Sequence, residues 1–421
     1  MKILLKEVSV ADPRSPHNQS TKDILIDDGI IVRIEEGLNE ADEVIGFENA
    51  VVSPGWVDTF AQFDDPGFEM KETIDTGAAA AQAGGYTHVF ILPNTNPPID
   101  NKTMVEYVQQ KSKNLAIHVL PLGAASKKVG GESLAEMYDM YDSGAVAFSD
   151  GSRPVQSTGL MVKALQYIKA FNGTMIQLPV DKSLAAFGLV NEGVFSTRMG
   201  LPGIPSIGEE LMVERDIKLA RYADSKLHIT GLTTARALKA VAEAKEEGLA
   251  VTCSVTPYHL FFCDEDLGAY DTTLKVDPPL RTKKDREALR EGVRRGWIDC
   301  IATHHIPQDW DSKTCEFEYA KPGMIGLQSC YAVVQSIFPD LSTQQIAKLF
   351  STNAREIFGL NKAVIQEGEP ADLTIFQPWK TERITRANNK CKSSNSPFFD
   401  IDLKGKVIGI FAKGKLNLNN Y

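Results

Sequence analysis

The sequence predicts an α/β protein, a (β/α)₈ TIM barrel with a small β-sandwich lobe formed by both ends of the chain. A length of 421 residues is long for one compact domain and suits a large barrel plus a smaller lobe. The centre of the chain alternates short apolar runs with helical stretches, as repeated βα units do over about 300 residues. Both ends carry strand-and-turn patterns instead. A doubly wound sheet is the alternative fold for the alternating centre.

The two ends of the chain predict one lobe. Residues 23–27 have the pattern of a strand that ends in the Asp28-Gly29 turn, and residues 30–34 return from it. Residues 371–376 and 406–411 repeat this pattern near the other end. A chain that leaves a lobe and returns to it places its termini close together. We therefore predict a β lobe from residues 1–52 and 365–421, and a barrel from residues 53–364.

The central strands are short apolar runs typical of buried parallel strands. They are expected at residues 87–92, 145–148, 175–178, 227–229, 251–255 and 298–302. Residues 233–247, rich in Ala, Lys and Glu, predict a helix that ends at Gly248. Residues 383–397 are polar, rich in Asn, Ser and Lys, and are expected to form an exposed loop.

Composition excludes several classes of partner. Hydrophobic residues make up 43% and charged residues 24% of the chain, which is ordinary for a soluble globular protein. The net charge of -10 argues against nucleic acid or an anionic membrane as the main partner. No apolar run reaches the roughly 18 residues of a membrane span, and the early charges of residues 1–6 do not fit a signal peptide. We expect a cytoplasmic protein whose six scattered cysteines are buried or free thiols.

In a TIM barrel the catalytic residues lie just after the strands, so functional motifs are expected in the segments that follow them. An ordered series of motifs resembles the dihydroorotases of the amidohydrolase superfamily over essentially the whole chain. These motifs are SPGWVDTFAQFDDPG at 53–67, PNTNP at 93–97, LPGIP at 201–205, KVDPPLR at 275–281, GMIGL at 323–327 and ADLT at 371–374. The resemblance implies a TIM barrel and a zinc-dependent hydrolase that opens and closes a cyclic amide in pyrimidine biosynthesis. In such enzymes the metal lowers the pKa of a bound water and polarises the amide carbonyl.

The resemblance also implies where the zinc ligands should stand. The family has a His-x-His pair, a bridging carboxylate, two further histidines and a catalytic Asp. In that order, these positions here hold Phe60 and Gln62, Asp150, Leu178 and Gly231, and His304. Phenylalanine cannot ligate zinc, and glutamine is a poor ligand beside imidazole. The metal-ligand positions are therefore interpreted as degenerate, with no metal and no cofactor expected.

The positions that hold substrate in the family are altered as well. Asp64 stands where an Arg should grip the substrate carboxylate, and Asp277 replaces an Asn. Gln308 replaces the last His of its motif, whereas Asn94 is retained. The predicted remnants of the substrate pocket are Asn94, Asp64, Asp277, Arg281, His305 and Gln308. An acidic side chain at the anion anchor would repel the substrate carboxylate, so this change acts in the same direction as the loss of metal.

Several residues leave two interpretations open. Asp150 is either a relic metal ligand or a carboxylate hydrogen-bonded to loop amides. His304 and His305 could rebuild a mononuclear site with Asp150, although adjacent side chains on a strand point to opposite faces. His228 is expected to be a buried histidine with satisfied hydrogen bonds. The acidic cluster at residues 58, 64 and 65 could attract a hard cation, but a solvated loop is the preferred interpretation.

The function expected from these observations is that of a non-catalytic dihydroorotase homologue. The resemblance implies a structural role beside aspartate transcarbamoylase, and we expect a homo-oligomer. The alternative is an active cyclic-amide hydrolase that converts dihydroorotate and water to carbamoyl aspartate with a site rebuilt around Asp150 and His304. A third hypothesis, a binder of apolar or aromatic ligands, follows from Phe60 and Leu178 at ligand positions.

Overall fold

A computed structural model of the protein describes residues 1–419. Most of its strands belong either to a sheet built from both ends of the chain or to a ring of parallel strands between them, and two short strands form a separate pair. The strands are β1 Lys2–Val10, β2 Thr21–Asp27, β3 Ile30–Glu35, β4 Glu43–Gly46, β5 Val51–Pro54, β6 Trp56–Ala61, β7 Tyr86–Ile91, β8 His118–Pro121, β9 Thr174–Gln177, β10 Val190–Asn191, β11 Gly203–Ile204, β12 Lys226–Ile229, β13 Val251–Val255, β14 Cys300–Ile301, β15 Leu373–Arg383, β16 Asp402–Ala412 and β17 Lys415–Leu418.

The α-helices lie between these strands. They are α1 Ile74–Ala83, α2 Lys102–Ser112, α3 Met137–Asp142, α4 Thr158–Lys169, α5 Val194–Met199, α6 Ile207–Ala223, α7 Ala235–Glu246, α8 Pro257–Phe261, α9 Lys283–Arg295, α10 Cys330–Ile337, α11 Thr343–Ala347 and α12 Asn353–Phe358. Short 3₁₀ segments lie at Lys127–Val129, Asp264–Ala269 and Thr272–Leu274, and a π-helical turn at Lys348–Thr352 joins α11 to α12. None of the helices in the described chain is long and apolar enough to cross a membrane.

The terminal strands form one eight-stranded sheet. Its order is β17-β16-β15-β5-β1-β2-β3, with β4 paired to β1. The two chain ends meet where β15 runs antiparallel to β5, with Leu373 opposite Pro54. Alternate apolar residues of β1 and β2 pack into a separate small core because side chains on a strand alternate between faces. The sheet of terminal strands predicted from the sequence is confirmed, and the exact domain boundaries stay a prediction.

The parallel strands form a closed ring. β6, β7 and β8 pair in order, and Phe148 bridges from Gly123 to Met175 at the start of the second group. β9, β12, β13 and β14 follow in that order. The ring closes where Ala61 bridges His305, and the Gln62 N–H donates to the His305 carbonyl at 2.8 Å. Because the last strand returns to the first, the TIM barrel is confirmed and the doubly wound sheet is excluded.

Helix α7 illustrates how local sequence sets an element. Thr234 caps its first turn by accepting a hydrogen bond from the Ala237 N–H. Gly248, with φ of 80°, follows the end of the helix in the left-handed region that favours glycine. Leu238 and Val241 are buried on the side that packs on the barrel. The predicted helix at 233–247 therefore differs from the observed one by one or two residues at each end.

A buried arginine joins the barrel to the terminal sheet. The Arg355 guanidinium donates to the Gly55 carbonyl at 2.8 Å and forms an ion pair with Asp372 at 2.8 Å. Arg355 is 1% exposed, and Trp56 packs nearby against Phe376 with ring centroids 5.3 Å apart. A buried charge is costly unless it is paired and hydrogen-bonded, so these contacts fix the position of the barrel relative to the terminal sheet.

The segment at residues 383–397 is irregular over most of its length, as expected, but it is not exposed throughout, because part of it packs on the loops of the barrel. Asn395 is 4% exposed and donates to the carbonyls of Ile306 and Gly323, each at 3.0 Å. Its side-chain oxygen accepts from the Gln308 N–H at 3.1 Å. Polar side chains of this segment thus form hydrogen bonds with backbone groups of irregular loops, which have no partners in a helix or sheet. Composition alone does not distinguish this role from exposure to solvent. The six cysteines are free thiols, as expected.

Candidate functional site

His304 occupies the centre of the barrel mouth. It stands three residues beyond β14, and its ring stacks on Phe60 near the end of β6 with centroids 4.3 Å apart. Its Nε2 is 2.8 Å from the Thr230 hydroxyl, which follows β12. Both rings are buried, and burial together with His259 and His228 holds the pKa of His304 well below its ordinary value of 6.5. His304 is therefore a neutral, packed side chain.

Gly231 leaves no room for a side chain beside this ring. Its φ of 68° lies in the left-handed region, and a Cβ placed there would stand 2.5 Å from Cε1 of His304. Leu178, the first residue after β9, is 3% exposed and lines the same cavity as Phe60 and His304. The positions at which the resemblance places zinc ligands do lie close together. The residues that surround the His304 imidazole there are an aromatic residue, an aliphatic residue and a glycine.

A buried chain of hydrogen bonds holds His304 in place. The Thr230 hydroxyl also lies 2.9 Å from the Ser254 hydroxyl, which is 3.1 Å from Nε2 of His228. Nδ1 of His228 is in turn 2.9 Å from the Thr252 hydroxyl. Burial lowers the pKa of His228 to about 3, so it is neutral. The prediction of a buried, satisfied histidine at this position is confirmed.

Asp150 forms its hydrogen bonds away from His304. One carboxylate oxygen accepts from the Ser126 N–H at 2.9 Å, and the other accepts from the Ser126 hydroxyl. Burial raises the pKa of Asp150 above its ordinary value, although these two hydrogen bonds act to lower it. Asn94 donates to the Asp150 carbonyl at 3.1 Å and accepts from the Ser152 N–H, which fixes the loop. Of the two interpretations offered above, a carboxylate hydrogen-bonded to loop amides describes this geometry, with Ser126 of the loop after β8 as the donor.

The acidic cluster of Asp58 in β6 and Asp64 and Asp65 after it is buried, so the interpretation as a solvated loop is wrong. Asp58 accepts from the N–H and hydroxyl of Thr303 at 2.7 and 2.8 Å. Asp65 pairs with Lys111 at 2.6 Å, and Asp64 accepts from the Gln62 side chain. Burial raises the pKa of Asp64 to about 7 and that of Asp58 to about 6. The sequence could not distinguish these cases, because burial of the loop depends on contacts distant along the chain.

Arg281 and Asp277 differ in their surroundings. Arg281 is buried and donates to Asn191 at 3.0 Å and to the Ile204 carbonyl at 2.7 Å, with Glu209 4.0 Å away. It is therefore a structural group in the wall of the barrel mouth. Asp277 is accessible from the cavity, although desolvation by the surrounding protein raises its pKa. Of the two, Asp277 is the residue that a ligand in the mouth would meet.

Two adjoining cavities lie at the mouth. The inner cavity, of about 470 Å³, is walled by Phe60, Leu178, Tyr258 and His304, and Gln308 and Asp277 also line it. The outer cavity, of about 710 Å³, extends over Asn94. Both are lined by Gln62, Lys71, Ser152 and Arg153, and Lys321 adds a further cation to the inner one. The sequence analysis missed Lys71, Arg153 and Lys321, because lysine and arginine beside strand ends resemble ordinary surface charges.

A second group that the sequence analysis missed lies beside the mouth. Ligand atoms of Glu72, His305 and Cys391 lie within 4.8 Å of one another, and all three residues are buried, so that by residue type they could hold a metal ion. Nε2 of His305 is 3.5 Å from Glu72. However, Nδ1 of His305 accepts from the Gly326 N–H at 3.2 Å, so in the neutral ring Nε2 carries the proton. Nε2 and the nearby Glu72 oxygen are both buried without a hydrogen-bond partner in the described structure. Coordination through Nε2 would require the proton to move to Nδ1, which faces the Gly326 N–H, so this hydrogen bond opposes metal binding at His305.

The zinc that the resemblance implies does not fit the donor set at the centre of the mouth. Phe60, Leu178 and Gly231 offer no ligand atoms in their side chains. Nε2 of His304 is engaged by Thr230, and both carboxylate oxygens of Asp150 accept hydrogen bonds from Ser126. A catalytic zinc site needs three protein ligands around one open position, and this arrangement does not supply them.

Comparisons with known proteins give consistent results. The profile of the family described as dihydro-orotase-like matches residues 49–237. The chain is 37% identical to a dihydroorotase from Syntrophus aciditrophicus over 99% of both chains, and 39% identical to one from Acetivibrio thermocellus over 98% of both. Among solved structures, the L-hydantoinase (dihydropyrimidinase) of Arthrobacter aurescens superposes with a TM-score of 0.85 at 20% identity, covering 98% of this chain and 95% of that one. The dihydropyrimidinase of Brevibacillus agri gives 0.84 at 20% identity, covering 100% and 95%.

Proposed function

Because the chain belongs to the dihydroorotase family of the amidohydrolase superfamily, we propose that it is a non-catalytic member that binds no zinc at the barrel mouth. Its activity as a cyclic-amide hydrolase is lost, and the retained barrel serves a structural role. The protein acts in the cytoplasm, within pyrimidine biosynthesis.

The packing of His304 is the observation that carries this proposal. The ring stacks on Phe60 at 4.3 Å, and its Cε1 stands where a side chain at residue 231 would begin. A fourth imidazole at residue 231 would have to displace this ring, and Phe60 supports the ring from its other face. Restoring one ligand therefore does not restore a zinc site, because the space in which the ligands would converge is filled.

The partner we propose is aspartate transcarbamoylase, with the present chain as a structural subunit of a larger assembly and itself a homo-oligomer. Support comes from the contrast between the whole-length match to dihydroorotases and the altered donor set. A fold retained at full length without its metal ligands is expected where the surface of the protein, rather than its centre, carries the function.

Metal content and turnover test the catalytic part of the proposal. The chain and the dihydroorotase of Acetivibrio thermocellus would be purified in parallel, incubated with zinc and analysed by inductively coupled plasma mass spectrometry. We expect stoichiometric zinc and dihydroorotate hydrolysis in the relative, and neither in this chain. Zinc bound at one or more ions per chain and lost on the His304→Ala substitution, or turnover of dihydroorotate or a hydantoin that this substitution abolishes, would overturn the proposal and favour the rebuilt Asp150–His304 site.

Binding to the partner is tested separately. The tagged chain would be mixed with the aspartate transcarbamoylase of the same organism and examined by size-exclusion chromatography with light scattering. We expect a single larger species that contains both proteins. Independent elution at concentrations of tens of micromolar, roughly the range of weak transient complexes, would refute the structural role while leaving the catalytic part standing.

A further inference from the structure

The two cavities at the barrel mouth are lined by cationic side chains that form no ion pairs in the described part of the chain. Four cationic side chains line them, against two acidic ones. The cations are Lys71, Lys128, Arg153 and Lys321, and the acidic residues are Asp100 and Asp277. In the described part of the chain, none of the four cationic groups has a carboxylate oxygen within 4.0 Å. This clustering contrasts with a chain that carries a net charge of -10.

Like charges lining one cleft repel each other, and an anion in the cleft relieves that repulsion. Lys71 and Arg153 line both cavities and thus mark the place where they join. An arginine fork together with a lysine is the combination that proteins use to bind a phosphate group, since the guanidinium binds it bidentately and the ammonium adds a point charge. The junction is therefore the best place for the anionic part of a ligand.

The inner cavity offers different chemistry. Its walls include Phe60, Leu178, Tyr258 and Ile306, which present apolar surface. Gln308 also lines it, is only 8% exposed, and has a side-chain oxygen without a partner in the described structure. A buried acceptor of this kind is costly unless something donates to it. An apolar wall with an unpartnered amide oxygen suits a flat ring that carries N–H groups.

We infer that the joined cavities bind a nucleoside monophosphate, with the base in the inner cavity and the phosphate between Lys71 and Arg153. Both volumes fall within the roughly 300–1,000 Å³ of typical ligand cavities. A single-ring carboxylate would leave the outer cavity empty and Lys128 without an anion. The inference depends on the lining of the cavities alone, and it holds whether or not the chain hydrolyses a cyclic amide.

Isothermal titration of the full chain tests this binding. The probes are UMP and AMP, with uridine, adenosine and inorganic phosphate as fragments. We expect at least one nucleotide to bind, and its nucleoside and inorganic phosphate each to bind at least tenfold more weakly. Binding of neither nucleotide up to millimolar concentration overturns the inference. Inorganic phosphate binding as tightly as the nucleotide overturns the placement of the base.

Substitutions locate the site. Arg153→Gln and Lys71→Gln should each weaken nucleotide binding at least tenfold, and Ser152→Trp should block the junction of the two cavities. Lys127→Gln is the matched control, since Lys127 pairs with Glu136 at 3.5 Å outside the cavities and its removal changes the net charge equally. Circular dichroism would verify that each variant is folded. The proposed location of the site is overturned if Lys127→Gln weakens nucleotide binding as much as the junction variants do, or if the junction variants do not weaken it. Because this experiment measures nucleotide binding, its failure can be distinguished from a failure of the proposed function, which is tested by zinc content and turnover.

Discussion

Asp64 allows a quantitative test of the electrostatics at the barrel mouth. Its side chain is 0% exposed, accepts from Gln62 through one oxygen and has no partner for the other. Burial is the main cause that raises its pKa from 3.8 to about 7, with Lys71 opposing the shift. The substitution Asp64→Asn removes the ionisation while keeping the shape. Asparagine also tolerates the left-handed backbone at this residue, where φ is 54°.

The expected magnitude follows from proton linkage. Between pH 3.8 and about 7 the folded state holds the Asp64 proton more tightly than the unfolded state, so stability falls as pH rises through this window. Each pKa unit is worth ~1.36 kcal/mol, so the raised pKa of Asp64 lowers the stability of the folded state by about 4 kcal/mol at pH 9 and by about 1.5 kcal/mol at pH 5. The stability of the asparagine variant relative to wild type should therefore improve by roughly 2.5 kcal/mol between these pH values.

Urea unfolding followed by far-ultraviolet circular dichroism at pH 5, 7 and 9 measures this difference. Other buried carboxyls, such as Asp58, titrate in both proteins and cancel in the comparison. The control Asp142→Asn, at an exposed position at the end of α3, should change stability by less than ~0.5 kcal/mol at every pH. A stability difference for Asp64→Asn that stays constant from pH 5 to 9 would refute the reasoning.

Three further predictions concern packing. Gly231→Ala places a Cβ against His304 at a left-handed φ, and we expect a loss of about 2 kcal/mol or more by urea unfolding; an unchanged midpoint would mean that the ring moves aside freely. Arg355→Met leaves the partly buried carboxylate of Asp372 without its ion pair to the buried Arg355 and should cost about 3 kcal/mol, measured in the same way; a loss below ~1 kcal/mol would contradict a structural ion pair. Asn395→Ala removes three hydrogen bonds to barrel loops and should cost about 1–3 kcal/mol; hydrogen exchange at residues 306, 308 and 323 should accelerate, and exchange as slow as in wild type would count against the contact.

Some features of the candidate site could be predicted from local sequence patterns, and others could not. Leu178 could be placed at a strand end from the alternation of apolar runs, and Phe60 from the ordered motifs of the family. His228 could be assigned as buried because it stands within an apolar run. The burial of Asp64 and the packing of residues 383–397 could not be predicted, since both depend on loops that follow different strands. Charge and polarity describe a residue's side chain but not the neighbours that desolvate it.

By itself, the sequence determined the barrel, the sheet of terminal strands and the family, because strand and helix periodicity and ordered motifs are local properties of the chain. It also determined which side chains replace the family's metal ligands. Only the tertiary structure decided that the ring of His304 lies between Phe60, Thr230 and Gly231, and that Lys71 and Arg153 share one cavity. The physical reason is that closure of the barrel brings together residues up to 245 positions apart, as in the hydrogen bond from Thr303 to Asp58. Contacts over such separations are set by the packing of whole strands and not by any local pattern.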